Sequence, residues 1–392
     1  MSDAPDLEFL PGEMGVYFHW PFCASKCPYC DFNAHVADNV SHERWRAAYQ
    51  RAVSHYAEML PDKRVVSIFF GGGTPSLMEP ESVAAAIDAV RAGWPCSNTL
   101  EVTLEANPTS VEAAKLAAFR EAGVNRVSLG VQALNDADLS FLGRAHDAAQ
   151  AVHAIKISQE IFERVSFDLI YARPSQTLEG WRDELCRALD LARGHMSLYQ
   201  LTIERSTPFY LRSKRGEFVM PGEAMGADFY HLTQDVTEEA GMPAYEVSNH
   251  AVAGQECRHN MIYWTGADYI GIGPGAHGRF MRDGAVYASR DHHAPEVWLS
   301  RVEADGSGAH PFEAVDAAGR FEAGLMTGLR LCGGVDVEAL SKTSGKSFND
   351  MVDLKKLDVA VREGWAVFDG VRLRLTREGI LRLNALLPYL LV

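Results

Sequence analysis

Residues 19–30 of the chain read His19-Trp20-Pro21-Phe22-Cys23-Ala24-Ser25-Lys26-Cys27-Pro28-Tyr29-Cys30, so three cysteines lie within eight residues. They follow an apolar run, Val16–Trp20, with the composition of a buried β-strand. A structural zinc site takes four protein ligands, and no second close pair of cysteines or histidines completes one. A redox pair formed by Cys27 and Cys30 would leave Cys23 without a role. A [4Fe–4S] cluster held by three thiolates, not the usual four, keeps one iron open for a small chelating ligand.

Around this motif, short apolar strands alternate with helical segments from residue 15 to about residue 205. Such repetition predicts an α/β fold with a parallel sheet and right-handed crossovers. Six units make a partial (β/α)6 barrel, in which ligands bind at the carboxyl ends of the strands. The predicted strands are Val16–Trp20, Val65–Phe70, Leu100–Leu104, Arg126–Gln132, Ser166–Tyr171 and Ser197–Ile203, and the predicted helices are His42–Met59, Glu81–Ala92, Val111–Ala122 and Leu178–Ala192.

The pattern changes beyond the barrel. His250–Gly278, rich in Gly, Tyr and Trp, predicts irregular structure that covers one end of the barrel. Helices at Phe321–Gly328 and Asp350–Glu363, followed by a hairpin at Trp365–Thr376, predict a winged-helix-like α+β domain. We therefore divide the chain into an N-terminal tail (1–14), the partial barrel (15–249), an irregular connecting and covering region (250–310) and the C-terminal winged-helix-like domain (311–392).

Bulk composition bounds the class of protein. The chain has 392 residues, 47% hydrophobic and 23% charged, enough for one large core and a smaller domain. Its apolar runs are strand-length and its first residues do not resemble a signal peptide, which favours a cytoplasmic protein. Seven cysteines, an odd number, do not predict a disulfide framework there. The net charge of −15 weighs against a nucleic-acid partner and favours a docking or lid role for the C-terminal domain.

Polar residues at the ends of several predicted strands complete a candidate site. Gly71-Gly72-Gly73-Thr74-Pro75 follows the second strand, and glycines there allow backbone groups to approach a ligand. Taken singly, the other polar groups are structural hydrogen-bonding residues more often than not. Together, the acceptor oxygens of the carboxyl and amide side chains suit ribose hydroxyls, and the guanidinium of Arg144 suits a carboxylate. These groups are Glu105, Gln132 and Asp168 at strand ends and Arg144 on the following helix.

Taken together, these segments resemble the coproporphyrinogen-III-oxidase-like branch of the radical S-adenosylmethionine (SAM) superfamily, from Gly15 into the C-terminal unit. The C-x3-C-x2-C spacing with Tyr29 before the last cysteine fits the superfamily signature. The further landmarks are Val16–Cys23, Gly72–Ser76, Glu105–Pro108, Ser128–Gln132, Leu142–Arg144, Phe167–Ile170 and Gly271–Ala276. The resemblance implies that Cys23, Cys27 and Cys30 hold a [4Fe–4S] cluster and that Tyr17, Tyr29, Gly72, Gly73, Thr74, Glu105, Gln132, Arg144 and Asp168 bind SAM.

Two departures from the oxidase favour the haem-chaperone branch of the family. The oxidase has a further cysteine two residues after the third ligand, where this chain has Phe32. The oxidase also has a longer segment before the motif, whereas the first ligand here is already residue 23. The resemblance thus implies a protein that binds haem and delivers it to an acceptor protein, which could be membrane-associated, and that need not be an enzyme. The alternative is an oxygen-independent coproporphyrinogen III oxidase, a radical SAM decarboxylase.

A third feature concerns haem itself. Cys257-Arg258-His259-Asn260-Met261-Ile262-Tyr263-Trp264 is similar to the His-Asn-x-x-Tyr-Trp motif of the chaperone branch, which implies a role in haem binding. An imidazole of His259 can ligate haem iron, Arg258 can pair with a propionate, and the ring of Tyr263 suits a flat macrocycle. The alternative is a packed segment whose histidine is hydrogen-bonded to the backbone. Cys257 or a distant histidine could also be the iron ligand.

One loop departs from the family pattern. The family commonly reads Gly-Leu-Pro-Gly-Gln-Thr after the fifth strand, where this chain reads Ala172-Arg173-Pro174-Ser175-Gln176-Thr177. Loss of two glycines narrows the backbone conformations available to the loop. We also expect Arg173 to place a cation near the cavity.

Overall fold

A computed structural model describes residues 9–37, 39–109 and 114–392. In chain order, the strands are β1 (Glu13–Trp20), β2 (Phe22–Cys23), β3 (His35–Val36), β4 (Arg64–Gly72), β5 (Cys96–Ala106), β6 (Arg126–Gln132), β7 (Arg164–Tyr171), β8 (His195–Gln200), β9 (Asn249–Ala251), β10 (Asp268–Ile272), β11 (His277–Arg282), β12 (Ala285–Arg290), β13 (Glu313–Val315), β14 (Val335–Asp336), β15 (Ala366–Phe368) and β16 (Arg372–Leu375).

The helices surround this framework and connect its strands. They are α1 (His42–Met59), α2 (Pro80–Gly93), α3 (Leu116–Glu121), α4 (Asp136–Phe141), α5 (Ala148–Ile161), α6 (Leu178–Leu191), α7 (Pro208–Lys214), α8 (Glu223–Glu239), α9 (Arg258–Thr265), α10 (Pro295–Asp305), α11 (Ala317–Gly328), α12 (Val337–Ser344), α13 (Phe348–Met351), α14 (Leu354–Arg362), α15 (Arg377–Ile380) and α16 (Leu383–Leu390). The first three residues of the helix predicted at Val111–Ala122 lie outside the described residues. None of the described helices is both long and apolar enough to cross a bilayer.

One sheet of eleven strands forms the centre of the fold, in the order β13-β12-β11-β10-β1-β4-β5-β6-β7-β8-β9. Its seven strands from β10 to β8 are mutually parallel, and antiparallel strands extend it on both sides. Over the described residues, the edge strands β13 and β9 do not pair with each other, so the sheet does not close. The predicted α/β fold with an open, partial barrel is confirmed.

Strand β1 shows why this sheet forms. Val16, Phe18 and Trp20 alternate along it, are at most 1% exposed and belong to the main core. Phe18 and Trp20 pack against aromatic rings of α1, Tyr49 at 5.4 Å and Trp45 at 5.5 Å between ring centroids. The residues between them face the inside of the barrel, so β1 is covered on both sides, as parallel strands usually are.

The segment 250–310 was expected to be irregular, and this expectation is wrong. It contributes β9 to β12 to the main sheet, and β10 is a seventh parallel strand beside β1. The glycines of this segment, which led to the prediction of irregular structure, instead allow neighbouring strands to pack closely. A Cβ on Gly271 would lie 2.2 Å from the carbonyl oxygen of His277 on the neighbouring β11.

The C-terminal region has its own core, built on Phe321, Leu325 and Leu373 among others. Its three-stranded sheet has the order β14-β16-β15, and β15 and β16 form the predicted hairpin. The helix predicted at Asp350–Glu363 instead begins at Leu354. The reason is Asp353, whose side chain accepts hydrogen bonds from the backbone N–H groups at the start of the helix.

Candidate cofactor site

The three cysteines of the motif lie on the segment that leaves β1. Cys23 ends β2, and the backbone N–H of Cys30 donates to the carbonyl oxygen of Cys27 at 3.1 Å. All three are free thiols that border one cavity of about 610 Å³. Arg144 donates to Cys27 Sγ at 3.2 Å, and Thr74 donates to Cys23 Sγ at 3.4 Å. The structure therefore brings the three predicted ligands together around one space.

Two of the cysteines, Cys23 and Cys30, are shielded enough to disfavour isolated thiolates. Burial raises the pKa of the Cys23 thiol, although a hydrogen bond from Thr74 opposes this. Burial also raises the pKa of the Cys30 thiol. Because iron binds the thiolate form, loading a cluster here would release protons. Over the described residues, no three Cys, His, Asp or Glu side chains are arranged to hold a single metal ion.

Two carboxyl groups reach the same cavity from the ends of β5 and β7. Burial, together with the charge of Asp168, raises the pKa of Glu105 to about 8. Burial likewise raises the pKa of Asp168 to about 6, against hydrogen bonds from Ser197 and Ser128 that lower it. The backbone N–H of Gly72 donates to Glu105 Oε2 at 3.3 Å. Carboxyls perturbed in this way mark a candidate ligand site, and their oxygens can accept hydrogen bonds from hydroxyl groups.

Gln132 and Arg144 have polar atoms that the described residues do not satisfy. Gln132 ends β6 at a φ of 74°, a conformation that a residue other than glycine rarely adopts. Its buried Oε1 has no hydrogen-bond partner, and neither does the buried Nε of Arg144. Arg144 is otherwise held by the carbonyl oxygen of Gly130, at 2.8 Å from Nη2. Strain and unsatisfied polar atoms bordering one cavity point to a polar ligand there.

The glycine turn after β4 approaches the cysteine segment very closely. A Cβ on Gly73 would lie 2.6 Å from the carbonyl oxygen of Phe22, and one on Gly72, where φ is 111°, would lie 2.6 Å from the His19 ring. The backbone N–H of Thr74 donates to the carbonyl oxygen of Phe22 at 2.8 Å. Both glycines also border the cavity. They therefore position the cysteine segment against β4, a role that the sequence did not predict.

The two predicted tyrosines differ in placement. Tyr29 borders the cavity and packs against Phe209, with 6.3 Å between the ring centroids. Tyr17 is not among the residues that border the cavity, and its hydroxyl hydrogen-bonds with His19 Nδ1 at 3.0 Å. The structure thus brings all the predicted SAM residues except Tyr17 to the cavity wall.

Sequence reasoning missed several residues of this wall. Asn107 directly follows Glu105 and Ala106, and Tyr199 lies near the end of β8, so the strand-end argument applied to every strand would have found both. Phe32, two residues after the third cysteine, also borders the cavity. His146 reaches the wall from the loop before α5, where no residue pattern marks it.

The predicted haem residues lie on α9, at the opposite ends of the strands. His259 is 1% exposed, its Nδ1 hydrogen-bonds with Ser67 Oγ at 2.8 Å, and its Nε2 with the Tyr263 hydroxyl at 2.9 Å. Burial lowers the pKa of His259 to about 3. Arg258 donates to the carbonyl oxygen of Thr99 at 2.6 Å. All three predicted haem residues therefore make hydrogen bonds within the protein. The partners of His259 are side chains, whereas the packed-segment alternative expected a backbone partner.

The loop after β7 differs from the sequence prediction that Arg173 places a cation near the cavity. Arg173 is 1% exposed and pairs with Glu184 and, at 3.0 Å, with Asp138. It is not among the residues that border the cavity, so it places no cation there. Ala172 and Ser175, which replace the family glycines, adopt φ values of 56° and 63°. The loop therefore keeps a glycine-type backbone without glycines, and the buried ion pair holds it.

The donor set of the cavity fits a [4Fe–4S] cluster and SAM. Three free thiols border a space that also contains two half-buried carboxyls, an unsatisfied amide oxygen and a guanidinium. Thiolates are the usual ligands of such clusters, and the other groups complement the hydroxyl, amino and carboxylate groups of SAM.

Two parts of this chain match known protein families. The model of the Radical SAM superfamily matches residues 17–185, and the model of the HemN C-terminal domain matches residues 317–382. A solved structure, coproporphyrinogen III oxidase (HemN) from Escherichia coli, superposes with a TM-score of 0.80 at 20% identity and covers 96% of this chain and 89% of its own. The fold is therefore that of a radical SAM protein with a HemN-type C-terminal domain.

Curated relatives define the family more closely. "Heme chaperone HemW" of Escherichia coli is 33% identical over 96% of this chain and 98% of its own length. "Radical S-adenosyl methionine domain-containing protein 1, mitochondrial" of Danio rerio is 35% identical over 97% of this chain and 87% of its own. This chain belongs to the HemW-like family of radical SAM proteins, and the resemblance drawn from its motifs is confirmed.

Proposed function

We propose that this protein is a haem chaperone that binds a [4Fe–4S] cluster, SAM and haem, and that delivers haem to an acceptor protein. One observation carries the proposal: three free thiols and the polar ends of β5, β6 and β7 border the same cavity. The haem part is supported by the curated relatives that are named heme chaperones. A cytoplasmic location and the absence of a nucleic-acid partner stay predictions from the sequence.

Each group of the cavity has a proposed role. Cys23, Cys27 and Cys30 hold the cluster, which with SAM supplies one-electron reductive chemistry when bound. Glu105 and Asp168 accept hydrogen bonds from ribose hydroxyls. The remaining groups bind the methionine end of SAM. The guanidinium pairs with the SAM carboxylate, and carbonyl oxygens of the protein lie near the SAM amino group. These are Gly72, Gly73, Thr74, Gln132 and Arg144, with Tyr29 packed at the wall and Tyr17 behind it.

Haem binding at α9 would require a change in the structure. For His259 to ligate iron, its ring would have to give up its hydrogen bonds to Ser67 and Tyr263, and α9 would have to leave the strands that it covers. The roles of Arg258 and Tyr263 depend on the same movement. These three contacts therefore remain predictions that only mutation can test.

The test is an anaerobic experiment with the full chain after cluster reconstitution. Coproporphyrinogen decarboxylation and haem binding are measured on the same preparation, the second by absorbance titration. We expect saturable haem binding without decarboxylation. Robust decarboxylation would overturn the proposal in favour of the oxidase alternative. A Cys27→Ala variant should lose iron and SAM binding, while a Cys186→Ala variant, which changes an exposed cysteine outside the cavity, serves as the control.

A further inference from the structure

A group of histidines lies beside the cysteine segment and has no role in the proposed SAM site. His35 forms β3, which pairs with the β2 residues Phe22 and Cys23. His277 begins β11, and His293 follows β12. All three are exposed, and none borders the cavity. They come from three separate parts of the chain, so their proximity is a product of the fold.

Asn33 joins these parts. Its Nδ2 donates to the carbonyl oxygens of Pro274, at 2.8 Å, and His293, at 2.9 Å. Its Oδ1 hydrogen-bonds with His35 Nε2 at 3.1 Å. The His293 ring lies over Gly275, where a Cβ would be 3.0 Å from Nδ1, so the absence of a side chain makes room for the imidazole.

The imidazoles are free to act as ligands. Within the described residues, neither ring nitrogen of His293 or His277 makes a hydrogen bond, in contrast to His259. When His35 donates its Nε2–H to Asn33, its Nδ1 keeps a lone pair. Burial, and then the charges of Arg290 and His293, lower the pKa of His277, which favours the neutral, ligating form.

The backbone that carries His293 is firmly held. Asp291, two residues before His293, is 3% exposed and accepts from the Gly273 N–H at 3.0 Å and from Trp298 Nε1 at 2.6 Å. The carbonyl oxygen of His292 accepts from the Gly275 N–H at 3.1 Å. A site on such a scaffold is preorganised.

The surroundings suit a flat apolar ligand with anionic edges. On the same segment as His35, the side chain of Phe32 is 60% exposed. Lys26 donates to the carbonyl oxygen of Phe32 at 3.4 Å, and Arg290 is paired in register with His277 on the neighbouring strand. Cations beside an apolar surface complement a macrocycle with propionates.

We propose that His293, with His277 and His35 beside it, forms the haem site of this protein, with the porphyrin against Phe32 and the propionates near Lys26 and Arg290. A bare metal ion fits less well, because no three side chains among the described residues are arranged around a single ion. Haem iron already has four porphyrin nitrogens and needs only one or two axial imidazoles. This inference rests on the proposed function and moves its haem site from α9 to the cysteine segment.

Hemin is titrated into the full, cluster-loaded chain, and binding is followed by difference absorbance and by the spin state of the haem iron. We expect His293→Ala to weaken hemin binding at least tenfold and to change the axial ligation, and we expect His293→Ala/His277→Ala to weaken it further. His153→Ala, which removes an exposed histidine on α5, is the matched control and should match wild type. Circular dichroism checks that each variant is folded.

The outcomes separate this inference from the proposed function. If wild type binds no hemin saturably, the proposed function itself fails. If wild type binds hemin and the triple variant of His35, His277 and His293 binds it equally well with the same spectrum, this site is wrong and the chaperone proposal stands. Loss of binding in His259→Ala alone would return the site to α9. Binding of Zn²⁺ in place of hemin by these histidines would also overturn the inference.

Discussion

Replacing Glu105 with glutamine tests the charge state of the cavity directly. The pKa of Glu105 in the folded chain is about 8, against an ordinary value of 4.5, because of burial and the nearby charge of Asp168. A carboxyl whose pKa is raised by folding contributes stability that is complete below about pH 4.5 and is lost as the pH rises through 8. The whole shift corresponds to about 5 kcal/mol at about 1.36 kcal/mol per unit. Since the side chain borders an open cavity, solvent should reduce this to about 2–3 kcal/mol.

Glutamine is neutral at every pH and can still accept the Gly72 N–H through its amide oxygen. We therefore expect Glu105→Gln to equal wild type in its free energy of unfolding near pH 5. At pH 8.5 it should exceed wild type by about 2–3 kcal/mol. Urea unfolding of the cluster-free chain, followed by tryptophan fluorescence from pH 5 to 8.5, measures this difference. In the cluster-loaded chain, the same change should weaken SAM binding above about pH 8, where wild-type Glu105 is ionised and accepts from ribose hydroxyls more strongly than a neutral amide does.

Glu81→Gln is the matched control, because Glu81 is an exposed residue of the first turn of α2. It should leave the pH profile of wild type unchanged. The reasoning is refuted if wild type and Glu105→Gln lose stability equally as the pH rises. It is also refuted if Glu105→Gln is the less stable protein at pH 8.5.

Three further changes test other parts of the structure by urea unfolding. Arg173→Met leaves Glu184 buried without its cation and should lower the free energy of unfolding by about 3–5 kcal/mol. The double variant Arg173→Met/Glu184→Leu should restore most of this loss, and no recovery would contradict the reasoning. Ser175→Gly should stabilise by about 0.5 kcal/mol by relieving a φ of 63°, whereas the buried Ala172→Gly should be near zero because it also removes a packed methyl. His259→Ala removes a buried ring with two hydrogen-bond partners and should destabilise by about 2–4 kcal/mol, and an unchanged stability would argue against its packed role.

Local signals explain why most of the barrel was predictable. The runs Arg126–Gln132 and His42–Met59 are bounded by turn or capping residues, and the structure has the same bounds. Strand β10 was missed because its character depends on a partner far away in the chain: Tyr269 lies opposite Gly15 of β1. A short segment that becomes a strand only by pairing with a distant strand carries little local signal.

The cavity was predictable for a different reason. The carboxyl ends of parallel strands meet at one edge of a sheet, so Glu105, Gln132 and Asp168 had to gather once the strands were recognised. The α9 motif has no such constraint, because a helix after the barrel can cover either end. The conformation of Gln132, with a φ of 74°, is likewise set by its surroundings and not by its residue type.

The two ends of the barrel have consequences for where haem can be handled. Ser67, which bonds to His259, and Gly72, which borders the cavity, lie on the same strand, β4, five residues apart. At about 3.3 Å per residue, they are about 16 Å apart along the strand. Haem held at α9 would therefore be separated from the cofactors by the interior of the barrel. Haem held at His293 would lie beside the segment that carries the cluster ligands, because Asn33, three residues after Cys30, donates to the carbonyl oxygen of His293. Only the second position would give cofactor binding a short structural path to haem, through the segment that carries the cluster ligands.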